Sequence, residues 1–131
     1  MKKLLFYSIL LCFLNSCSDR GYEIRTTALN VSFSADGKIK SLVLNDKKMK
    51  RPMVAFSTVA GCRQDGATIV QKMDDGTICF ERTLIHDTFQ KSCVLIDRFI
   101  PTPTGVRWEL NVKGTGESWG SAIQTRIKYP A

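Results

Sequence analysis

A single histidine, four prolines and no Cys-x-x-Cys pair in 131 residues remove several chemistries at the outset. A zinc site draws on several Cys, His or carboxylate ligands at short spacings. His86 and the scattered cysteines offer no such set, so no metal is expected. Ser-His-Asp and Cys-His machinery each need a histidine base, and His86 is the sole candidate. Asp87 follows it, but neighbours on a strand point to opposite faces, so the two make no dyad and His86 reads as a connector. No apolar run approaches the roughly 20 residues of a membrane-crossing helix. Beyond residue 16 no window of helix length carries an apolar stripe at helical spacing. There is no internal repeat and no low-complexity segment. The net charge of +7 is spread along the chain, and its densest cluster, Lys47, Lys48, Lys50 and Arg51, reads as a solvated turn. A nucleic-acid interface needs a focused basic patch with aromatics or a known motif, so nucleic acid is not an expected partner. Glu81 and Glu109 fall on strand-like runs with outward phase, and no catalytic residue and no cofactor are assigned.

What the chain does have begins at its first residues. Lys2 and Lys3 precede an almost unbroken apolar run over 4–14, the anatomy of a secretory signal peptide. It ends in Leu14-Asn15-Ser16-Cys17, which resembles a bacterial lipoprotein processing box, with Asn15 where a small residue is more usual. That resemblance implies a signal peptide at 1–16, lipid on the Cys17 sulfur, and a lipidated tether at 17–21. Several acyl chains anchor durably, since each buried methylene contributes about 0.8 kcal/mol. The expected partner is therefore a membrane, through the lipid on Cys17. Ser18, rather than aspartate, follows the cysteine, which by the sorting rules of such lipoproteins implies the outer membrane of the cell envelope. Ser18-Asp19 resembles the start of a surface-export signal, interrupted by Arg20. Cleavage removes Lys2 and Lys3 and no acid, leaving 17 basic against 12 acidic residues, or +5.

The remaining length suits one domain, 22–131. Val106, Trp108, Leu110 and Val112 alternate with Arg107, Glu109, Asn111 and Lys113, the period of a strand with one buried face. Further strands are expected from Tyr22 and over 29–33, 38–44, 54–59, 67–73, 77–84, 90–100 and 122–129. Turns fall at 34–37, 45–48, 61–66, 74–76 and 101–104, where Gly, Asn, Asp and Pro collect. The fold class is all-β, an antiparallel β-sandwich of about eight or nine strands.

Once the signal peptide and Cys17 are set aside, Cys62, Cys79 and Cys93 remain. Three allow at most one bridge, spacing does not select it, and free thiols packed as small hydrophobes are the plain reading. Trp119 lies in a glycine-rich loop, 114–120, where binding residues tend to collect. Its flat apolar ring suits a sugar, with Glu117 and Gln124 as nearby hydroxyl partners. The competing reading folds Trp119 back as a plug on the sandwich.

The run from Asp97 through Pro101, Pro103, Gly105 and Trp108 to Leu110, the later 114–119 loop and the early hairpin Phe33 to Leu42 carry a wider resemblance. They resemble the N-terminal β-sandwich of exported bacterial glycoside hydrolases of the α-galactosidase-like kind, a galactose-mutarotase-like supersandwich. In those enzymes a (β/α)-barrel follows and holds the catalytic carboxylates. This chain has no room for such a barrel of roughly 250 residues, so no catalytic residue carries over. The resemblance implies a non-catalytic lipoprotein that contacts glycans or supports a partner glycoside hydrolase. The alternatives are a structural or interaction lipoprotein without a sugar site, whose unfinished sandwich exposes a sheet edge or apolar patch, and a truncated fragment of such a hydrolase.

Overall fold

The computed structural model describes residues 21–49, 53–114, 116 and 119–128. In chain order the strands are β1 (Tyr22–Arg25), β2 (Leu29–Phe33), β3 (Ile39–Leu44), β4 (Lys47–Lys48), β5 (Val54–Val59), β6 (Cys62–Gln64), β7 (Ile69–Lys72), β8 (Ile78–His86), β9 (Ser92–Pro101), β10 (Val106–Gly114) and β11 (Ile123–Lys128). All pair antiparallel, in two sheets. The first runs β1-β2-β3-β5-β11, with β4 on β3; the second runs β10-β9-β8, with β6 and β7 sharing the far edge of β8. The fold is all-β and sandwich-like, as the alternating runs required.

Two of the eleven strands were not expected. Asn45 and Asp46 both take positive φ, 48° and 60°, which is the backbone of a two-residue type I′ turn. Such a turn uses only two residues, so Lys47 and Lys48 are already extended and pair with Leu44 and Val43. Likewise Gly61, at φ 72°, completes the turn after β5, and Cys62, Arg63 and Gln64 join β8 opposite His86, Ile85 and Leu84. That pairing carries β8 two residues past its expected end, so His86 sits on a strand rather than in a connector.

The core lies between the sheets. Phe33 of β2, Phe80 of β8 and Phe99 of β9 are fully enclosed, and Trp108 stacks on Phe99 with ring centroids 5.3 Å apart. Phe33 lies 4.5 Å from Phe99 and 5.6 Å from Phe80, centroid to centroid. Each such ring contributes about 1.5–3 kcal/mol by leaving water. Gly37 closes the 34–37 turn at φ 83°, and a Cβ there would stand 2.8 Å from Phe80 Cγ. Glycine is thus required twice over, for the backbone and for the ring beneath it.

A second, smaller cluster of Val59, Leu84, Cys93 and Leu95 lies against Leu110, Val112 and Trp119. Between the two clusters sits a polar knot. Asp97 accepts from Ser57 Oγ at 2.5 Å and from Trp108 Nε1 at 2.8 Å, and is paired with Arg82. Arg82 also donates to Ser57 O at 3.1 Å and Ser57 Oγ at 2.7 Å. The knot ties β5 of one sheet to β8, β9 and β10 of the other.

Candidate functional site

The sandwich is open along one flank. Ile123, Thr125 and Ile127 of β11 pair with Val59, Ser57 and Ala55 of β5, and directly opposed residues share a face. The β5 residues are buried, so the three β11 residues also face the core side. Ile123 and Ile127 are nonetheless 52% and 61% exposed. At the other edge of the same sheet, the corresponding core-facing residue of β1, Ile24, is 4% exposed. The second sheet covers β1 but stops short of β11.

The backbone of β11 follows the same logic. Ala60 N donates to Ala122 O at 2.8 Å, which marks that pair as hydrogen-bonded. The alternation of an antiparallel ladder then aims the backbone groups of Gln124, Arg126 and Lys128 at β5. Those of Ile123, Thr125 and Ile127 point away from it. Among the described residues no strand pairs that outer edge. The exposed apolar side chains of Ile123 and Ile127 thus belong to residues whose peptide groups also point outward.

Where β11 meets β10 the flank deepens into a cavity of about 430 Å³. Val59, Cys93, Val112, Trp119 and Ile123 supply its apolar wall, with Gly114, Gly116 and Ser121 at its rim. Trp119 is half-buried here, its ring edge-on to His86 at 5.4 Å. His86 in turn stacks on Phe89 at 4.4 Å, and its Nδ1 accepts from the backbone N–H of Thr88 and Phe89, each at 3.2 Å. The sole histidine is thus a clasp for the β8–β9 turn and a support for Trp119.

Gln124 does not share this cavity. It is next to Ile123 on the strand and so points to the opposite face, where its Oε1 accepts from Arg126 Nη2 at 3.0 Å. Glu117 and Cys17 lie outside the described residues. Of the two described residues assigned to a sugar site, Trp119 lines the cavity and Gln124 does not.

A second groove, of about 540 Å³, runs over the outer face of the second sheet, among Gln71, Cys79, Glu81, Ile96, Arg98 and Glu109. Glu81 and Glu109 both line it. Glu109 is flanked by Arg107 at 2.9 Å and Arg98 at 3.6 Å, and no aromatic ring lines the groove. Cys62 stands opposite His86 across β6 and β8, which makes a thiol and the imidazole neighbours. Burial pushes the Cys62 thiol up, and the adjacent Cys93 raises it further. Burial likewise raises Cys93 and Cys79. A nucleophilic cysteine is held as thiolate, the reverse of this arrangement. Among the described residues no three His, Cys, Asp or Glu side chains cluster in a way that would hold a metal ion.

Sequence reading missed the buried Arg82–Asp97 pair, and a signal for it was present. Ile78, Phe80, Arg82 and Leu84 share one phase of β8; Cys93, Leu95, Asp97 and Phe99 share one phase of β9. Opposite charges in the apolar phase of two successive strands mark an internal ion pair.

No family model, no curated protein and no solved structure matches the chain.

Proposed function

We propose that this chain is a non-catalytic β-sandwich module of the cell envelope, tethered by lipid on Cys17, whose work is to hold a partner protein against its open flank. The observation that carries this reading is the exposure of Ile123 and Ile127 on the core-facing side of β11. Apolar side chains in core phase at an uncovered edge favour association, because covering them removes apolar surface from water. The resemblance of the sequence to the front domain of glycoside hydrolases suggests such a hydrolase as the partner class.

Site-specific photo-crosslinking in intact envelopes tests the reading. A photoreactive residue at 127 should give a discrete protein adduct, and one at exposed Lys40, on the closed part of the same sheet, should not. Adducts to lipid alone, or equal labelling at both positions, would remove the docking reading.

Glycan contact is the second reading, supported by the half-buried Trp119 ring at the cavity mouth. It requires sugar binding that falls with Trp119→Ala, and equal binding by the variant ends it.

A further inference from the structure

We infer that the partner adds a strand to β11, and that this strand alternates apolar side chains toward the core with acidic side chains toward solvent. The inference rests on the docking reading and specifies its geometry.

Three features of the edge point the same way. Among the described residues nothing pairs with the peptide groups of Ile123, Thr125 and Ile127 on the outer side of β11, and they lie in one row, as a new antiparallel or parallel strand needs. Main-chain pairing to a free edge is an established mode of peptide recognition, with pockets for alternate side chains giving specificity. Of these, Ile123 and Ile127 turn uncovered apolar side chains toward the core, so an added strand would continue that face. The cavity beside Ile123, Val112 and Trp119 can accept an apolar side chain from it. A void of about 150 Å³ already holds a benzene-sized group, and this one is larger.

Charge selects the strand's other face. Gln124, Arg126 and Lys128 lie on the solvent side of β11. Neither Arg126 nor Lys128 has an acidic partner among the described residues. Acidic side chains on an incoming strand would sit beside them, and opposite charges on neighbouring strands attract. A second copy of this chain fits poorly. Pairing β11 with β11 gathers two copies of Arg126 and Lys128 on one face, and the chain already carries a net charge of +7.

The test uses the chain from Ser18 to Ala131, which contains every strand and every buried residue described. Two synthetic nine-residue peptides serve as probes, one alternating valine with glutamate and one alternating valine with lysine. The glutamate peptide should bind about tenfold more tightly. It should slow amide exchange at Ile123, Thr125 and Ile127 and leave Gln124 and Arg126 unchanged, since their amides already bond β5. Thr125→Pro removes one free N–H without touching the β5 ladder and should abolish binding while the urea midpoint stays near wild type. Should that variant fold poorly, Arg126→Glu/Lys128→Glu serves instead and should reverse the preference between peptides.

Equal binding of both peptides, protection elsewhere, or no binding at all overturns strand addition. So does concentration-dependent dimerisation that Thr125→Pro removes, which would assign the edge to a second copy. The crosslink at position 127 separates the two levels. An adduct that survives Thr125→Pro but not Ile123→Asp leaves docking standing and strand addition fallen; no adduct at position 127 with the edge otherwise unaltered removes both.

Discussion

Arg82 of β8 and Asp97 of β9 form an ion pair inside the sandwich, on neighbouring strands but diagonal to one another, since Arg82 opposes Leu95 and Asp97 opposes Phe80. Both are buried, at 6% and 0% exposure. Taking two charges out of water costs several kcal/mol each, and only mutual attraction and further hydrogen bonds offset it. Ser57 and Trp108 supply those bonds to Asp97, while Arg82 Nε has no partner in the described structure.

Asp97→Ala should therefore destabilise the fold by about 3–5 kcal/mol, because it strands a guanidinium in the core. Arg82→Met should do the same by stranding the carboxylate. The double variant Arg82→Met/Asp97→Leu should recover most of the loss, so the two single effects are far from additive. Urea unfolding followed by tryptophan fluorescence measures all three. An Asp97→Ala loss below about 1 kcal/mol would show that the pair is solvated rather than buried.

How much of this was legible in the chain varied with the kind of interaction. The alternation of Val106, Trp108, Leu110 and Val112 identified β10 and its buried face, because side-chain direction on a strand has period two. The turns at Gly37 and Gly76 were equally plain, and both glycines take positive φ. The strand Lys47–Lys48 was hidden because nothing apolar marks it; its existence follows from the geometry of the Asn45-Asp46 turn alone. The place of the open flank was hidden for a different reason. Ile123, Thr125 and Ile127 alternate like any half-buried strand, and only the strand order shows that β11 is an edge among the described residues. Trp119 and Gln124, five residues apart, read as neighbours in sequence yet lie on opposite faces of the sheet.

On the proposed anchoring, the lipid on Cys17 holds the chain to the bilayer; among the described residues no helix is long and apolar enough to cross a membrane. Cys17→Ser should move the protein from the detergent-rich to the aqueous phase on detergent phase separation, and should abolish incorporation of labelled fatty acid. Unchanged partitioning would mean that the apolar run over 4–14 is retained as the anchor.

Gly61 provides a test of the β5-to-β6 crossing. Its φ is 72°, and a Cβ placed there would stand 2.5 Å from His86 Nε2. Gly61→Ala should cost about 2 kcal/mol or more, from backbone strain and from displacement of a ring that supports Trp119. Adding His86→Ala removes the clash but not the strain, so in that background Gly61→Ala should cost only about 1 kcal/mol. Equal costs in the two backgrounds would show that the imidazole moves aside freely.

The thiols provide the pH-dependent test. Burial raises Cys62, Cys79 and Cys93 above the ordinary thiol range, and the Cys93 neighbour adds to the effect at Cys62. The folded protein thus holds these protons at pH values where the unfolded chain releases them. By linkage, their contribution to stability is fully present below the unfolded thiol pKa of about 8.5 and is lost as pH rises through the folded values. Two results follow. Alkylation by iodoacetamide at pH 8 should be several-fold slower in the native protein than in the chain unfolded in guanidinium, with Cys62, the least buried, reacting first. The urea midpoint should fall between pH 8.5 and 10, and the fall should be smaller in the Cys62→Ala/Cys79→Ala/Cys93→Ala variant than in wild type. Native thiols that react as fast as unfolded ones, together with equal slopes in the two proteins, would place the three cysteines in solvent contact and, through Cys62 and Cys93, contradict the packing of the second cluster.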